Sequence, residues 1–369
     1  MLRAPSHAVA DVSRDLLISR YGAESADLLL IDYRMSVLQP VLGEGPPRPV
    51  EGSPAGRAYL GQRSVVDGAD LYVPMSVQGA DRVGVLAIRL PDVPDEALLA
   101  ELAEFATAAA QALVVADQVT DRFRDARRVE RLTLAAEMQW QLLPGRSLSR
   151  PEFELGGQLE PAYAVRGDTF DWSADAHHLT LVAANGMGDG VRASLLTSLV
   201  VGALRNARRA GLGLADQASL ADQAVYGQYR GECYVGALLL QFELATGRVR
   251  VVDAGSPRLY LLRGGSIQLV PLEAQLPLGM FDGTVYTDQA FTLRRGDRLV
   301  ILSDGVHDAP VAEGTYGERA LEAILSATRE LPPTEAVRRT LADLTGLSAG
   351  PDGLGDDAVA VCVDWLGRT

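Results

Sequence analysis

No lysine occurs anywhere in the chain; all 34 basic residues are arginines. That absence removes a GK[ST] phosphate loop, a Schiff-base lysine and a kinase-type lysine. Cysteine is nearly absent as well. Cys233 and Cys362 sit far apart in apolar, strand-like runs, which reads as two buried free thiols in a reducing cytoplasm. Histidine stops at four, and His7, His177, His178 and His307 make no zinc spacing with the two cysteines. There is no run of 18 or more apolar residues, so no transmembrane span is expected. The segment MLRAPSHAVADVSRD carries no apolar signal core. Positive charge is in deficit, giving a net charge of −14, which argues against nucleic acid or an anionic membrane as main partner. Metal chemistry must then rest on carboxylates and carbonyls, donors that suit Mg²⁺, Mn²⁺ or Ca²⁺.

What remains is a 369-residue chain, 47% hydrophobic, with room for two or three domains. The first part, 1–114, reads as a small α+β unit. ADLLLIDYR (26–34) alternates as a strand, SPAGRAYLGQR (53–63) as a short helix, and ADLYVPMSV (69–77) and RVGVLAIRL (82–90) as two strands joined by a turn at QGAD (78–81). Behind Pro94, Leu98, Leu102, Phe105 and Ala109 recur at helical spacing over 95–115. The AGRAYLGQ helix and the LYVPMSVQGADRVGVLAI hairpin resemble a GAF domain. That resemblance implies an interaction or dimerisation module, or a ligand sensor. No Cys or His there suits cofactor attachment.

Residues 115–146 form a predicted helical linker. Val115, Val119, Phe123, Ala126, Val129 or Glu130, Leu132 and Ala136 step by three and four between charged faces, until Pro144-Gly145 ends the pattern. Two readings stand: a helix packed on its own domain, or a dimeric helix that carries signal between domains.

From 147 to 369 the pattern is of many short strands interrupted by helices at 191–211, 214–230, 318–330 and 333–346, the mark of an α+β fold with antiparallel sheets covered by helices. Acidic residues follow the strand ends: Asp168 and Asp171 in RGDTFDW, Asp189 beside Asn185 in NGMGDG, Asp304 and Asp308 in LSDGVHD, and Asp356 and Asp357 in GDDAV. One Asp beside Gly is an ordinary turn. Several at the ends of separate core strands repel one another unless a cation sits among them. Two ions about 3.5–4 Å apart activate a water for in-line attack on phosphorus.

The ordered series RGDTFDW, ANGMGDG, DAGSPRLYL, LPLGM, RRGDRLVILSDGV and GDDAVAV resembles the PPM (PP2C-like) phosphatases of the SpoIIE/RsbU type. The helix end AAEMQWQLLP matches an element that precedes the domain in that family. The resemblance implies two antiparallel sheets sandwiched between helices. It also implies Mn²⁺ or Mg²⁺, up to two ions. On it, Asp168, Asp304 and Asp356 are the catalytic metal ligands, Gly186 offers a carbonyl, and Asp357 hydrogen-bonds nearby backbone. Asn185 stands where the family has the Asp that bridges both metals, and it brings one neutral carbonyl and no charge. Asp189 stands at the family's His and is either a substitute ligand or a solvent-facing loop residue. Ser256 replaces the His of AGH. Arg166 replaces the first Gly of GGD and either meets a phosphate or makes a surface salt bridge.

The implied function is a cytoplasmic protein serine/threonine phosphatase, weakened at Asn185, acting on a phosphorylated STAS-type anti-sigma factor antagonist. A homodimer through the GAF-like unit and linker is expected. The alternatives are a pseudophosphatase that binds without turnover, and a GAF-led ligand sensor with the PPM domain as output surface.

Overall fold

The computed structural model describes residues 4–43, 45–77, 79, 81–160, 166–255, 257–348 and 354–368. The chain divides into two compact units, 1–131 and 132–369.

The N-terminal unit comprises α1 (Val9–Tyr21), β1 (Ser25–Ile31), β2 (Val37–Pro40), β3 (Arg48–Pro49), α2 (Pro54–Gly61), β4 (Val65–Asp67), β5 (Asp70–Ser76), β6 (Arg82–Arg89), α3 (Glu96–Ala116) and α4 (Arg122–Ala126). Its six strands form one antiparallel sheet in the order β3-β2-β1-β6-β5-β4. Alternation along the strands assigns two faces. Leu28, Leu30, Leu71, Val73 and Leu86 pack with Leu17 of α1 and Leu102 and Leu113 of α3. Leu29, Ile31, Tyr72 and Val85 pack with Ala55, Ala58 and Tyr59 of α2. Both packing helices start on side-chain caps: Ser53 accepts from the Gly56 N–H (2.9 Å) and Asp95 from the Leu98 N–H (2.8 Å). Residues 78 and 80 of the QGAD turn lie outside the described residues. Sequence reasoning missed α1 and the short strands β2, β3 and β4, of which β3 and β4 lie at the sheet's edges.

One expectation needs correction and another a qualification. By length and composition alone α3 is long and apolar enough to cross a membrane, as buried core helices also can be. Six of its residues are nonetheless buried in this unit's core. The linker, moreover, is not one helix. α3 stops at Ala116, α4 spans five residues, and helix resumes only at α5 (Leu134–Leu142). The break follows from local preferences. Thr133 accepts from the Ala136 N–H and so starts a new helix, while Phe123 turns into the N-terminal core. Each piece packs on its own unit, leaving Val115, Val119 and Val129 of the expected seam exposed.

The C-terminal unit continues from α5 with β7 (Ser147–Arg150), β8 (Phe153–Glu160), β9 (Asp168–Ala174), β10 (His178–Gly186), α6 (Gly190–Arg209), α7 (Leu214–Tyr229), β11 (Val235–Glu243), β12 (Arg248–Ala254), β13 (Arg258–Arg263) and β14 (Ser266–Leu269). Then come β15 (Gln289–Thr292), β16 (Arg298–Leu302), α8 (Asp304–His307), α9 (Tyr316–Arg319), α10 (Leu321–Ala327), α11 (Pro333–Leu347) and β17 (Ala358–Trp365). Two antiparallel sheets result, ordered β15-β12-β11-β10-β9 and β14-β13-β16-β17-β8-β7. α6 and α7 cover the outer face of the first through Leu196, Val200, Val225 and Val235. α10 and α11 cover the second through Leu302, Leu325, Leu341 and Cys362. Both Cys233 and Cys362 are buried free thiols.

Between the sheets, Phe242 stacks on Trp365 at 6.5 Å and Phe170 on Trp172 at 5.0 Å. The Gly156-Gly157 pair in β8 allows this closeness on both sides. A Cβ on Gly156 would lie 2.4 Å from the Thr334 backbone nitrogen of α11, and one on Gly157 2.9 Å from the Trp172 ring. This is an α+β architecture with a separate N-terminal sheet and two C-terminal sheets between helices.

Candidate functional site

The acidic motifs meet at one end of the sandwich, where strands from both sheets finish. β9 and β10 pair in the register Asp168↔Asn185, so these two side chains start from neighbouring positions on the same face. The Gly186 N–H donates to the Gly167 carbonyl at 3.2 Å. Glycine is required at 167, since a Cβ would lie 2.5 Å from the Gly186 oxygen. From the second sheet, β16 ends at Leu302. Ser303 locks the exit by donating its N–H to the Val359 carbonyl (3.0 Å) while its Oγ accepts from the Val359 N–H (2.9 Å). Asp304 then opens α8. Gly305 packs so closely on the start of β17 that a Cβ there would meet the Asp357 carbonyl at 1.6 Å.

Asp357 holds the two sheets' motifs together. Its Oδ2 accepts from the backbone N–H groups of Arg166, Gly167 (2.6 Å) and Asp168 (3.2 Å). It is 1% exposed, and burial pushes its carboxyl up to about 6, against the pull of those donors; Asp356 adds to the rise. Asp168 is buried too, and its Oδ2 has no hydrogen-bond partner among the described residues. Burial, then the charges of Asp357, Asp304 and Asp356, raise its pKa well above the usual carboxylate range, while a Ser303 hydrogen bond opposes the rise. Asn185 Nδ2 donates to Asp304 Oδ1 at 2.6 Å. A cleft of about 290 Å³ opens beside these groups, lined by Asp304, Gly305, Asp308, Pro310, Leu354 and Asp356.

Not every acidic residue of the motifs joins them. Asp171, on the opposite face of β9, is buried against α6 and pairs with Arg205 (2.7 Å) and Arg208 (3.1 Å). Asp308 Oδ1 lies 2.8 Å from His307 Nδ1 and 3.6 Å from Arg258. Asp189 is exposed, precedes α6, and makes no capping bond. Arg166 is exposed and makes no ion pair among the described residues, so the surface salt bridge is not found there. Ser256 lies outside the described residues.

Sequence reasoning gave no role to Gln139. It is fully buried on α5, donates from Nε2 to the Asp168 carbonyl at 2.6 Å, and accepts from Thr197 Oγ1 of α6 at 3.4 Å. Two signals were available: Gln139 falls inside the matched stretch AAEMQWQLLP, and it is an amide beside Ala135 and Ala136 on the buried stripe of a short helix.

A family model described as stage II sporulation protein E (SpoIIE) matches residues 175–366, just over half of the chain. The chain belongs to the SpoIIE family. Two curated phosphoserine phosphatases of Bacillus subtilis (strain 168) are similar to this SpoIIE-family chain. RsbP is 22% identical over 42% of the chain and 37% of its own length; RsbU is 21% identical over 53% and 58%. The chain thus spans from about a third to somewhat over half of these relatives. The solved PP2C phosphatase domain of Bacillus subtilis SpoIIE, with a fragment of its regulatory domain, shares the fold: TM-score 0.52, 18% identity, covering 59% of this chain and 65% of that one.

PPM phosphatases use Mn²⁺ or Mg²⁺, and the oxygen donors here are of the right chemistry. Their arrangement does not fit a two-ion centre. Among the described residues no three His, Cys, Asp or Glu side chains are grouped to hold a metal ion. An amide N–H of Asn185, not a carboxylate, faces Asp304.

Proposed function

We propose that the chain is a SpoIIE-type protein serine/threonine phosphatase whose centre is weakened at Asn185, and that its substrate is a phosphorylated STAS-type anti-sigma factor antagonist. Asp168, Asp304 and Asp356 are the carboxylates assigned to the centre, with the Gly186 carbonyl beside them and Mn²⁺ or Mg²⁺ as the ion they take. Losing a bridging carboxylate costs more than the about 10–100-fold lost with an outer partner. Asp189, exposed and uncommitted, is the substitute ligand to test. The free guanidinium of Arg166, on the backbone segment that Asp357 grips, meets the substrate phosphate bidentately. Residues 1–114 act as a GAF-like module, with 115–146 leading to the phosphatase unit at 147–369. The protein works in the cytoplasm as a homodimer through the first unit and linker.

The observation that carries this reading is the convergence of the strand ends bearing Asp168, Asp304 and Asp357 on one corner of the sandwich. A second reading, a pseudophosphatase that binds a phosphoprotein without turnover, is favoured by one contact: the Asn185 amide already occupies an oxygen of Asp304. The test is Mn²⁺-dependent hydrolysis of a phosphopeptide and of p-nitrophenyl phosphate by wild type, Asn185→Asp and Asp304→Ala. Turnover by wild type that is lost in Asp304→Ala supports the enzyme. A silent wild type with an active Asn185→Asp variant establishes the pseudophosphatase.

A further inference from the structure

The two faces of the N-terminal sheet are covered unequally. α3 spans 21 residues, whereas α2 spans eight, about 12 Å at 1.5 Å per residue. β6 also spans eight residues, but at about 3.3 Å each it is twice as long. The short helix therefore roofs only one end of its face. At the other end the outward positions are polar or small: Ser25 and Asp27 on β1, Asp70 and Tyr72 on β5, Ala87 and Arg89 on β6. Pro46 and Arg48 wall the side, and a cavity of about 210 Å³ results. That is below the about 300–1,000 Å³ of drug-sized pockets, so it suits a small metabolite.

The charges inside are sorted. Arg89 grips Asp70 through two bonds, Nε to Oδ1 at 2.8 Å and Nη2 to Oδ2 at 3.0 Å. Asp27 Oδ1 accepts from the Leu28 N–H (2.7 Å) and the Leu42 N–H (3.1 Å). A carboxylate offers about four lone-pair sites, so Asp70 keeps capacity to accept more. Arg48 is the free cation: its guanidinium makes no ion pair or hydrogen bond with any described residue. Tyr72 is 6% exposed, and its hydroxyl has no partner among the described residues. Burial and Asp70 raise its pKa against the Arg48 and Arg89 charges, so the hydroxyl stays protonated and able to donate.

We propose that this cavity binds a small carboxylic acid that also carries a hydrogen-bond donor, an amino acid or a hydroxy acid. Its carboxylate rests on the Arg48 guanidinium and the Tyr72 hydroxyl, and its ammonium or hydroxyl donates to the Asp70 oxygens. The site stands apart from the phosphatase reading and survives its failure.

Calorimetric titration of the full chain with serine, glutamine, lactate and propionate tests it. At least one of the first three saturates, and propionate, which has no donor, binds it more weakly. Arg48→Gln weakens the ligand by about ten-fold or more, as expected for a lost charge-assisted contact. Tyr72→Phe keeps the ring's packing and weakens it several-fold, while Asp304→Ala leaves it unchanged. No saturation by serine, glutamine or lactate overturns the proposal. So does binding that survives Arg48→Gln, or propionate binding as tightly as lactate.

Discussion

Replacing Asn185 by aspartate changes charge at nearly constant volume. In the wild type its amide donates to Asp304 Oδ1 at 2.6 Å; in the variant two acceptors face each other. A hydrogen bond to a charged group contributes about 1.5–3 kcal/mol. Like unit charges about 4 Å apart repel by about 4 kcal/mol at an effective dielectric near 20. Asn185 is only half-buried, and uptake of a proton relieves part of the repulsion, so the net cost comes to about 3 kcal/mol. For a unit the size of 132–369, that lowers Tm by about 6–12 °C. Circular dichroism melts in EDTA and in Mn²⁺ read the effect. The variant melts lower than wild type in EDTA and recovers as Mn²⁺ rises, the gain growing with the logarithm of its concentration. Wild type shifts little. A variant as stable as wild type in EDTA refutes the idea that the Asn185 amide stabilises Asp304. A destabilised variant that Mn²⁺ does not rescue refutes the idea that only the missing charge separates this site from a metal centre.

Asp357 makes the fold pH-sensitive in a definite direction. Its folded pKa, raised to about 6 against 3.8 unfolded, means that the folded state holds the proton more tightly. The stability this brings is full below about pH 4 and is lost as pH rises toward 6; the raised Asp168 adds to the trend. Urea midpoints of Asp357→Asn should therefore fall less than those of wild type across that window. Gly305→Ala puts a Cβ into the Asp357 carbonyl, where neither backbone can yield. It should cost more than about 3 kcal/mol or abolish folding of the C-terminal unit, seen as lost soluble yield. Gln139→Ala removes the donor to the Asp168 carbonyl and should destabilise by about 1–3 kcal/mol in denaturant melts, with less than additive loss when combined with Thr197→Ala.

Strong local patterns were legible. The strands HHLTLVAAN and AVAVCVDWL and the long helices α6 and α11 carry their periods openly, and the glycine-flanked acids mark strand ends. β9 was read only as an acidic motif, because its inward Phe170 and Trp172 are interrupted by Thr169 and Asp171, which turn the other way. The linker failed because heptad-like spacing says nothing about which core each step enters: Phe123 goes to one unit and Ala136 to the other. Asn185 was visible as a missing charge. That its amide would face Asp304 was not, since the contact joins residues 119 apart in sequence. Gln139 was invisible for a similar reason: a buried amide acquires meaning only once its acceptor is in place.

β17 has a consequence for how the chain is made. It sits in the middle of its sheet, between β16 and β8, and β8 precedes it by some two hundred residues. During synthesis the β7–β8 hairpin and the β13–β14–β16 group must wait as separate pieces, each with an open edge. Such distant pairing closes slowly and leaves strands open to wrong partners meanwhile. The Asp357 side chain that clasps residues 166–168 arrives with that strand. A ribosome-bound chain that lacks β17 has no assembled acidic corner, so that corner exists only after the sheet has closed.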